Sequence, residues 1–227
     1  MFPSVRRWSA ILPLLLFLTN NGTLYGAPIS WNAATNIVND ADVSTHGTLV
    51  AAVNFDGPVT TVNGVTFQPI KTGFGAVTSS GIPPFTGLSV VYRALLGTGL
   101  QTSSNVTITF NGLTIGQHYE FQVWSNNSDD SFGYGVFVSD FPVTDTVQLD
   151  AGGMTLGQYV IGTFTADSAS QQFLFEPDEV LTINGFQLRA IDGVNAEVPE
   201  PASLVLWSLL SMAGLTACRH RKRATAA

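Results

Sequence analysis

The central part of the chain alternates between short apolar runs and clusters of turn-forming residues. Runs rich in Val, Ile, Thr, Phe and Tyr are separated by Gly, Asn, Asp and Pro. Many short runs with frequent turn signals are typical of an antiparallel β-sandwich or barrel. We therefore predict a single all-β domain over residues 27–191, with strands at 48–55, 64–69, 105–110, 118–124, 134–139, 144–149, 159–164, 171–175 and 181–190.

The clearest alternation lies in the segment 118–124. One set of alternate side chains consists of Tyr119, Phe121 and Val123, and the other of His118, Glu120, Gln122 and Trp124. Successive side chains of a strand point to opposite faces of its sheet. The pattern therefore predicts a core face for the first set and a solvent face for the second.

The segment 89–96 does not follow the β-strand pattern. Its apolar residues stand at 91, 92, 95 and 96, which is helical spacing. Ser89 is a suitable N-cap, and Gly97 or Gly99 can end the element. We predict one short surface helix near 89–96, with a strand as the alternative.

Two segments of the domain echo each other. Residues 112–119 read Gly-Leu-Thr-Ile-Gly-Gln-His-Tyr, and residues 153–159 read Gly-Met-Thr-Leu-Gly-Gln-Tyr. Two copies do not make a repeat protein, because repeat architectures need several. We interpret the echo as the same type of turn used twice at the entry to a strand. The segment 112–123 also resembles strand entries of extracellular sandwich families, including jelly-roll carbohydrate-binding modules. This resemblance implies two antiparallel sheets in a jelly-roll-like sandwich.

The N-terminus has the organisation of a secretory signal peptide. Arg6 and Arg7 precede an apolar run at 8–18, and small or polar residues follow up to Ala27. We predict a helical signal peptide over residues 1–26, cut near Gly26 or Ala27. A retained N-terminal anchor is the alternative.

The C-terminus has three consecutive parts. A linker at 192–201 ends in Pro-Glu-Pro, and the apolar run 202–218 is near the short end of a transmembrane helix, which needs roughly 17–25 residues. A basic tail at 219–227 follows, and such clusters favour the cytoplasmic side. The arrangement resembles the PEP-CTERM sorting signal of bacterial exported proteins. The residues that carry the resemblance are Pro199, Glu200, Pro201, Arg219, Arg221, Lys222 and Arg223.

This resemblance implies how the protein is handled. In that family an exosortase, a membrane-embedded enzyme, recognises the tail and removes it near the Pro-Glu-Pro. The chain would then cross the inner membrane, stay briefly as a single-pass protein, and reach the cell surface, outer membrane or extracellular matrix. A plain single-span anchor that is never cut is the alternative.

The charge of the domain excludes some partners. Between residues 27 and 197, the three basic residues Lys71, Arg93 and Arg189 stand against fifteen acidic ones, a net charge of −12. Nucleic acid is therefore excluded as a partner, because phosphate binding needs a basic face. Neutral polysaccharide fits better. The one cysteine, Cys218, lies in the tail, so the domain has neither disulfides nor a catalytic thiol.

The search for catalytic residues finds no recognisable motif. His46 and His118 are the histidines of the domain, and no hydrolase or phosphate-binding signature is present. Glycosidases need two carboxylates across a cleft, for which Glu120, Glu176 and Glu179 are available. We interpret these glutamates as solvated and predict a non-catalytic protein. A secreted carbohydrate-active hydrolase is the alternative.

The sequence predicts no cofactor, although two segments offer oxygen ligands for Ca²⁺. Asp40 and Asp42 stand at alternate positions, as do ligands of hard cations, and Asp129 and Asp130 form a second acidic pair. The first segment lacks the glycine and glutamate of an EF-hand loop. An ordinary Asx turn is the alternative.

The loop after the 118–124 strand is the best candidate for a ligand site. It combines aromatic residues, amides and carboxylates, which suit sugar binding by ring stacking and hydrogen bonds to hydroxyls. The candidate residues are Trp124, Asn126, Asn127, Asp129 and Tyr134. We hypothesise an exopolysaccharide site here. The alternatives are a hairpin loop whose aromatic residues return to the core, and a matrix component without a discrete ligand.

Overall fold

The computed structural model describes residues 26–79, 81, 83–128 and 134–192. The predicted transmembrane helix, the basic tail, most of the linker and all of the predicted signal peptide except Gly26 lie outside these residues. Across the described ranges, no helix has the length and apolar character needed to cross a membrane.

The described chain is built mostly from strands, as predicted. The strands are β1 (Ser30–Trp31), β2 (Thr35–Asn36), β3 (Thr48–Phe55), β4 (Thr60–Val62), β5 (Val65–Ile70), β6 (Gly75–Val77), β7 (Thr98–Thr102), β8 (Val106–Asn111), β9 (His118–Ser125), β10 (Gly135–Asp140), β11 (Thr146–Asp150), β12 (Gln158–Thr165), β13 (Ser170–Pro177), β14 (Leu181–Ile183) and β15 (Gly185–Ile191). One α-helix, α1, covers Val90–Leu96, and short 3-10 helices lie at Asp40–Asp42 and Phe85–Gly87.

All nine predicted strands are present. The segment predicted as one strand at 181–190 is divided at Asn184 into β14 and β15, which belong to different sheets. The sequence patterns missed β1, β2, β4, β6 and β7. These strands have two to five residues, too few for a period of two to stand out.

Helix α1 confirms the predicted helix at 89–96. The Ser89 hydroxyl accepts a hydrogen bond from the Tyr92 backbone nitrogen, and Gly97 is the C-cap. Such a cap satisfies one of the four free N–H groups at a helix start. The buried face of the helix consists of Tyr92, Leu95 and Leu96.

Three sheets organise the strands. The large sheet has the order β1-β12-β9-β15-β3-β5-β4, with β2 also paired to β12. A second sheet has the order β11-β10-β13-β8, and a third has the order β14-β7-β6. Neighbouring strands are antiparallel, apart from the parallel pair β3 and β5.

The main core lies between the large sheet and the four-stranded sheet. Phe121 of β9 stacks on Phe173 of β13 with ring centroids 3.9 Å apart. Phe110 of β8 meets Phe186 of β15 edge-on at 5.5 Å. Two sheets that bury interleaved side chains between them make a β-sandwich.

A second core covers the opposite face of the large sheet. Helix α1 and the preceding loops pack there, and Trp124 of β9 lies between Tyr92 of the helix and Phe67 of β5. The predicted solvent face of β9 is therefore wrong beyond His118, because Glu120, Gln122 and Trp124 are only 8%, 0% and 0% exposed. Along β9 and β15 the large sheet is therefore buried on both faces.

The two smaller sheets are joined at a corner. β7 and β8 follow one another along the chain, as do β13 and β14, and β8 pairs with β13 while β7 pairs with β14. These segments form one bent antiparallel ribbon. β6 pairs with β7 through Thr98–Leu100, so it covers only the β7 half of the ribbon's outer edge.

Both ends of the described chain lie at one end of the sandwich. The last strand finishes with Ile191 beside His118, the first residue of β9. Gly26 donates to the carbonyl of Phe141, directly after β10, and lies against Gln171 near the start of β13. The opposite end of the sandwich is formed by Ser125, Gln158, Gly135 and Gly185.

Candidate functional site

A groove lies at this opposite end, away from both ends of the described chain. Its wider part, about 460 Å³, is lined by Asn36, Ile37, Pro84, Asp150, Thr155, Leu156 and Gln158. An adjoining part of about 270 Å³ shares Asp150 and Gln158 and adds Gly135, Gln148 and Asp178. We call the two parts together the polar groove, because six of its ten lining residues have an amide, carboxylate or hydroxyl side chain.

Gln158 is the central residue of the polar groove. It is the first residue of β12, where that strand pairs with β2 on one side and β9 on the other. Its Nε2 donates to Oδ1 of Asn36 at 3.0 Å, and its Oε1 accepts from the Asp150 backbone nitrogen at 2.9 Å. The amide is therefore fixed in orientation between two strands of different sheets.

The turn between β11 and β12 forms one wall of the groove. Asp150 Oδ1 accepts from the Gly152 backbone nitrogen at 2.8 Å, and Thr155 donates from its backbone nitrogen to the Gly152 carbonyl at 2.8 Å. Gly152 has a φ of +101°, and a Cβ there would approach the Gly157 nitrogen to 2.6 Å. Only glycine fits this position, and the tight turn brings Leu156 into the groove lining.

Three residues of the predicted sugar site are buried instead. Trp124 and Asn126 have no solvent exposure, and Asn127 is 4% exposed. The prediction of Trp124 as a sugar platform is wrong, because its ring packs edge-on against Phe67 and its Nε1 donates to the Tyr92 hydroxyl. For Trp124 the alternative prediction, an aromatic side chain packed in the core, is confirmed.

Asn126 connects elements inside the fold. Its Nδ2 donates to the carbonyls of Thr78 and Leu96 at 3.0 and 3.2 Å, and its Oδ1 accepts from the Gly157 backbone nitrogen at 3.1 Å. Asn127 uses its backbone nitrogen to bind the Ala151 carbonyl at 2.6 Å. Both residues therefore support the turn that walls the groove rather than contact a ligand.

The other two predicted sugar-binding residues differ in position. Tyr134 is half-buried, and its carbonyl accepts from the Ala151 backbone nitrogen at 3.1 Å. It directly precedes Gly135, which lines the groove. Asp129 lies outside the described residues.

The predicted calcium segment is a capped turn. Asp42 Oδ2 accepts from the backbone nitrogens of Val38 and Asn39 at 2.6 and 2.9 Å. The Asn39 side chain accepts from the backbone nitrogens of Ala41 and Asp42, so Asn39 and Asp42 form a capping box. Asp40 accepts from the Ser89 hydroxyl at 2.6 Å. Both carboxylates thus have protein donors, as the Asx-turn alternative expects.

No cluster of three metal-ligating His, Cys, Asp or Glu side chains occurs within the described ranges. The other predicted acidic pair, Asp129 and Asp130, lies outside those ranges.

Two of the three glutamates considered for catalysis lie on different sheets, and the third, Glu179, lies in the turn between β13 and β14. Glu120 lies on the helix-covered side of the large sheet, with its Oε2 3.5 Å from His46 Nδ1. Glu176 belongs to β13 of the four-stranded sheet and accepts from Asn105 Nδ2 at 3.0 Å. The expectation that Glu120 is solvated is wrong, because Arg189 and the loop at 44–47 cover it.

Sequence reasoning missed the groove residues. Asn36 and Gln158 are far apart in sequence and meet only through the pairing of β2 with β12. One signal was available in the sequence, because Gln158 belongs to the second of the two echoed segments, as Gln117 belongs to the first. The echo marks the entries to β12 and β9, which begin at opposite ends of the sandwich.

Comparisons with known proteins do not assign a family. No protein-family model matches the chain, and no curated protein matches it.

Proposed function

We propose that the chain is an exported bacterial cell-surface or extracellular-matrix protein, sorted by its C-terminal PEP-CTERM signal, that binds polysaccharide without catalysis. Polysaccharide binding is proposed from the polar groove, in which hydrogen bonds fix the orientation of the Gln158 and Asn36 amides. Gln158, Asn36 and Asp150 offer donors and acceptors, while Leu156, Pro84 and Ile37 supply apolar lining. This combination suits ligands that carry both hydroxyl groups and C–H faces.

The charge of the domain supports a neutral polymer. Residues 27–197 carry a net charge of −12, and the groove contains Asp150 and Asp178 without a basic residue among its described lining. An acidic polymer would be repelled. Tyr134, next to the groove residue Gly135, is the aromatic residue of the predicted set that stays near this site.

The position of the groove supports surface display. The last described strand, β15, leads from the groove end to the end where Ile191 lies. A chain held at the membrane beyond residue 201 would therefore present its groove on the far side of the sandwich. This orientation would leave the groove open to an extracellular polymer before any processing of the tail.

We also propose that the sandwich is jelly-roll-like. Two facing antiparallel sheets and neighbours distant in sequence, such as β12 beside β9 and β15 beside β3, support this topology. The parallel pair β3 and β5 and the helix-covered face are additions to that plan.

Polysaccharide retention tests the binding proposal. The full chain, kept in a mild non-ionic detergent, is sedimented with insoluble neutral polysaccharides such as cellulose, chitin and xylan. We expect retention on at least one polymer and its loss in Gln158→Ala. Gln172→Ala, an amide on β13, and Trp124→Phe, in the second core, should bind as wild type does. Equal retention of all variants, or none for wild type, rejects the groove.

Mass spectrometry tests the sorting proposal separately. The protein isolated from its own host should lack residues beyond about position 201 if an exosortase acts as the motif implies. Glu200→Ala should accumulate uncut, whereas Glu197→Ala, just outside the motif, should be processed. A full-length, membrane-bound wild-type product would instead establish a plain anchor.

A further inference from the structure

We propose that the outer edge of β8 pairs with β8 of a second copy of this chain, antiparallel across a twofold axis. The two four-stranded sheets would then form one continuous sheet of eight strands. The interaction does not depend on the polar groove, which lies at an end of the sandwich and not along this edge.

The edge of β8 lacks a neighbour among the described residues. β8 ends the order β11-β10-β13-β8, and β6 covers only the adjoining strand β7. The core-facing side chains of β8 are incompletely covered as a result: Val106, Ile108 and Phe110 are half-buried. On the next strand, Phe173 and Phe175 are completely buried. A further strand beside β8 would cover the exposed parts of these apolar side chains.

The edge also lacks the features that prevent strand pairing. Natural sheet edges are protected by charged side chains, proline, bulges or covering loops. Residues 94–119 contain no Asp, Glu, Lys or Arg, and β8 itself contains no proline. Its six residues pair with β13 in an unbroken register from Val106 to Asn111, a length of about 20 Å. Exposed Thr107 and Thr109 occupy its outer face.

The charge distribution favours a second copy as the occupant. Copies with a net charge of −12 over residues 27–197 repel each other wherever their acidic surfaces meet. Residues 72–119 contain a single charged residue, Arg93, so the β8 edge permits close approach. A basic partner would instead be drawn to the acidic surfaces. Twofold pairing of β8 aligns threonine-rich segments without like charges, and Thr–Thr pairs are favourable across strands.

Molar mass with an edge-blocking variant tests this pairing. The full chain in mild detergent is analysed by multi-angle light scattering, with the detergent mass subtracted, at protein concentrations on the order of 10–100 µM, where a small interface associates. We expect a dimer. Thr109→Lys sets two ammonium groups near each other across the axis and should weaken association by about tenfold or more. Thr146→Lys, on the opposite edge strand β11 of the same sheet, should remain dimeric.

Cross-linking separates this edge from association through the terminal segments. In a Cys218→Ser background, which removes the native cysteine, Thr107→Cys or Thr109→Cys should form an intermolecular disulfide on mild oxidation. Thr146→Cys should not. A monomeric wild type overturns the proposal. This is also the result expected if a segment of the same chain covers the β8 edge. Equal dimerisation of both lysine variants, with cross-linking at 146 but not at 107 or 109, also overturns it.

Discussion

The indole nitrogen of Trp124 donates a hydrogen bond of 3.0 Å to the phenolic oxygen of Tyr92. Neither residue is exposed to solvent. The Tyr92 hydroxyl in turn donates to Asp42 Oδ2 at 3.3 Å, which links β9, α1 and the 3-10 helix at Asp40–Asp42. A helix of seven residues is too short to be stable alone, so these contacts and the second core hold it on the sheet.

Removing the Tyr92 hydroxyl should therefore destabilise the fold. In Tyr92→Phe the Trp124 N–H loses its acceptor in a buried site, and we expect the free energy of unfolding to fall by about 1–3 kcal/mol. Urea unfolding followed by tryptophan fluorescence measures the change. Tyr159→Phe, at a half-buried position of β12, is the control and should lose less than about 1 kcal/mol. Equal losses in the two variants would contradict a stabilising role for the hydrogen bonds that join Trp124, Tyr92 and Asp42.

The same hydroxyl predicts a loss of stability at alkaline pH. Burial, followed by the negative charge of Asp42, raises the pKa of Tyr92 far above its ordinary value of 10.0. The folded state thus holds this proton more tightly than the unfolded state. The resulting stability is complete below about pH 10 and falls at higher pH by roughly 1.4 kcal/mol per pH unit.

Tyr92→Phe isolates this effect from other alkaline titrations. The variant has no hydroxyl to ionise at this position, so its deficit relative to wild type should shrink as the pH rises above about 10. Urea unfolding of both proteins at about pH 9, 10 and 11 measures it. A deficit that stays constant across this range would show that Tyr92 does not titrate between the two states.

Asn184 supports the junction of three elements. Its Nδ2 lies 2.9 Å from the carbonyls of Leu96 and Thr98 and 2.8 Å from Thr78 Oγ1, and its Oδ1 accepts from the Asn126 nitrogen at 2.6 Å. Asn184→Ala removes all of these hydrogen bonds and leaves the buried Asn126 nitrogen without this acceptor, which should cost about 3 kcal/mol or more. Thermal and urea unfolding measure the loss. Asn105→Ala, an exposed amide that binds Glu176, should change stability by about 0.5 kcal/mol or less.

The strands and the helix could be predicted because their patterns are local. Alternation in 118–124 correctly assigns Tyr119, Phe121 and Val123 to the main core. The second core could not be predicted, because a polar side chain does not reveal what will cover it. Gln122 and Gln187 bind each other at 2.7 Å, and Gln122 also binds the backbone of the loop at 42–44. Their polarity serves buried hydrogen bonds rather than solvent.

The groove could not be predicted because its residues meet only in the fold. Asn36 is positioned by a two-residue strand without a recognisable pattern, and Asp150 by the end of β11. The loop chosen from the sequence is adjacent to the groove through Tyr134. Its combination of aromatic and amide residues is explained by the second core and by the support of the turn at 151–157 instead.

Arg189 fixes the loop that covers the outer face of the large sheet. Its guanidinium donates to the carbonyls of His46, Gly47 and Thr45 at 2.6, 2.8 and 3.1 Å. Burial lowers the pKa of Arg189, whereas the neighbouring Glu120, its partner across the strands, raises it. A planar guanidinium group can donate hydrogen bonds to several carbonyls at once, and a lysine ammonium group cannot reproduce this geometry.

Arg189→Lys should consequently loosen this loop while it keeps the charge. We expect the free energy of unfolding to fall by about 1–3 kcal/mol, with faster hydrogen exchange at amides 44–47. Arg189→Met should cost more, about 3–5 kcal/mol, because the loop carbonyls lose their donors and the largely buried Glu120 loses the nearby positive charge of Arg189. Adding Glu120→Gln to Arg189→Met should recover part of that loss. Arg93→Lys makes the same chemical change on α1 and is the control. Equal losses of stability in the two lysine variants, with hydrogen exchange at 44–47 unchanged in Arg189→Lys, would refute the role of Arg189 in anchoring this loop.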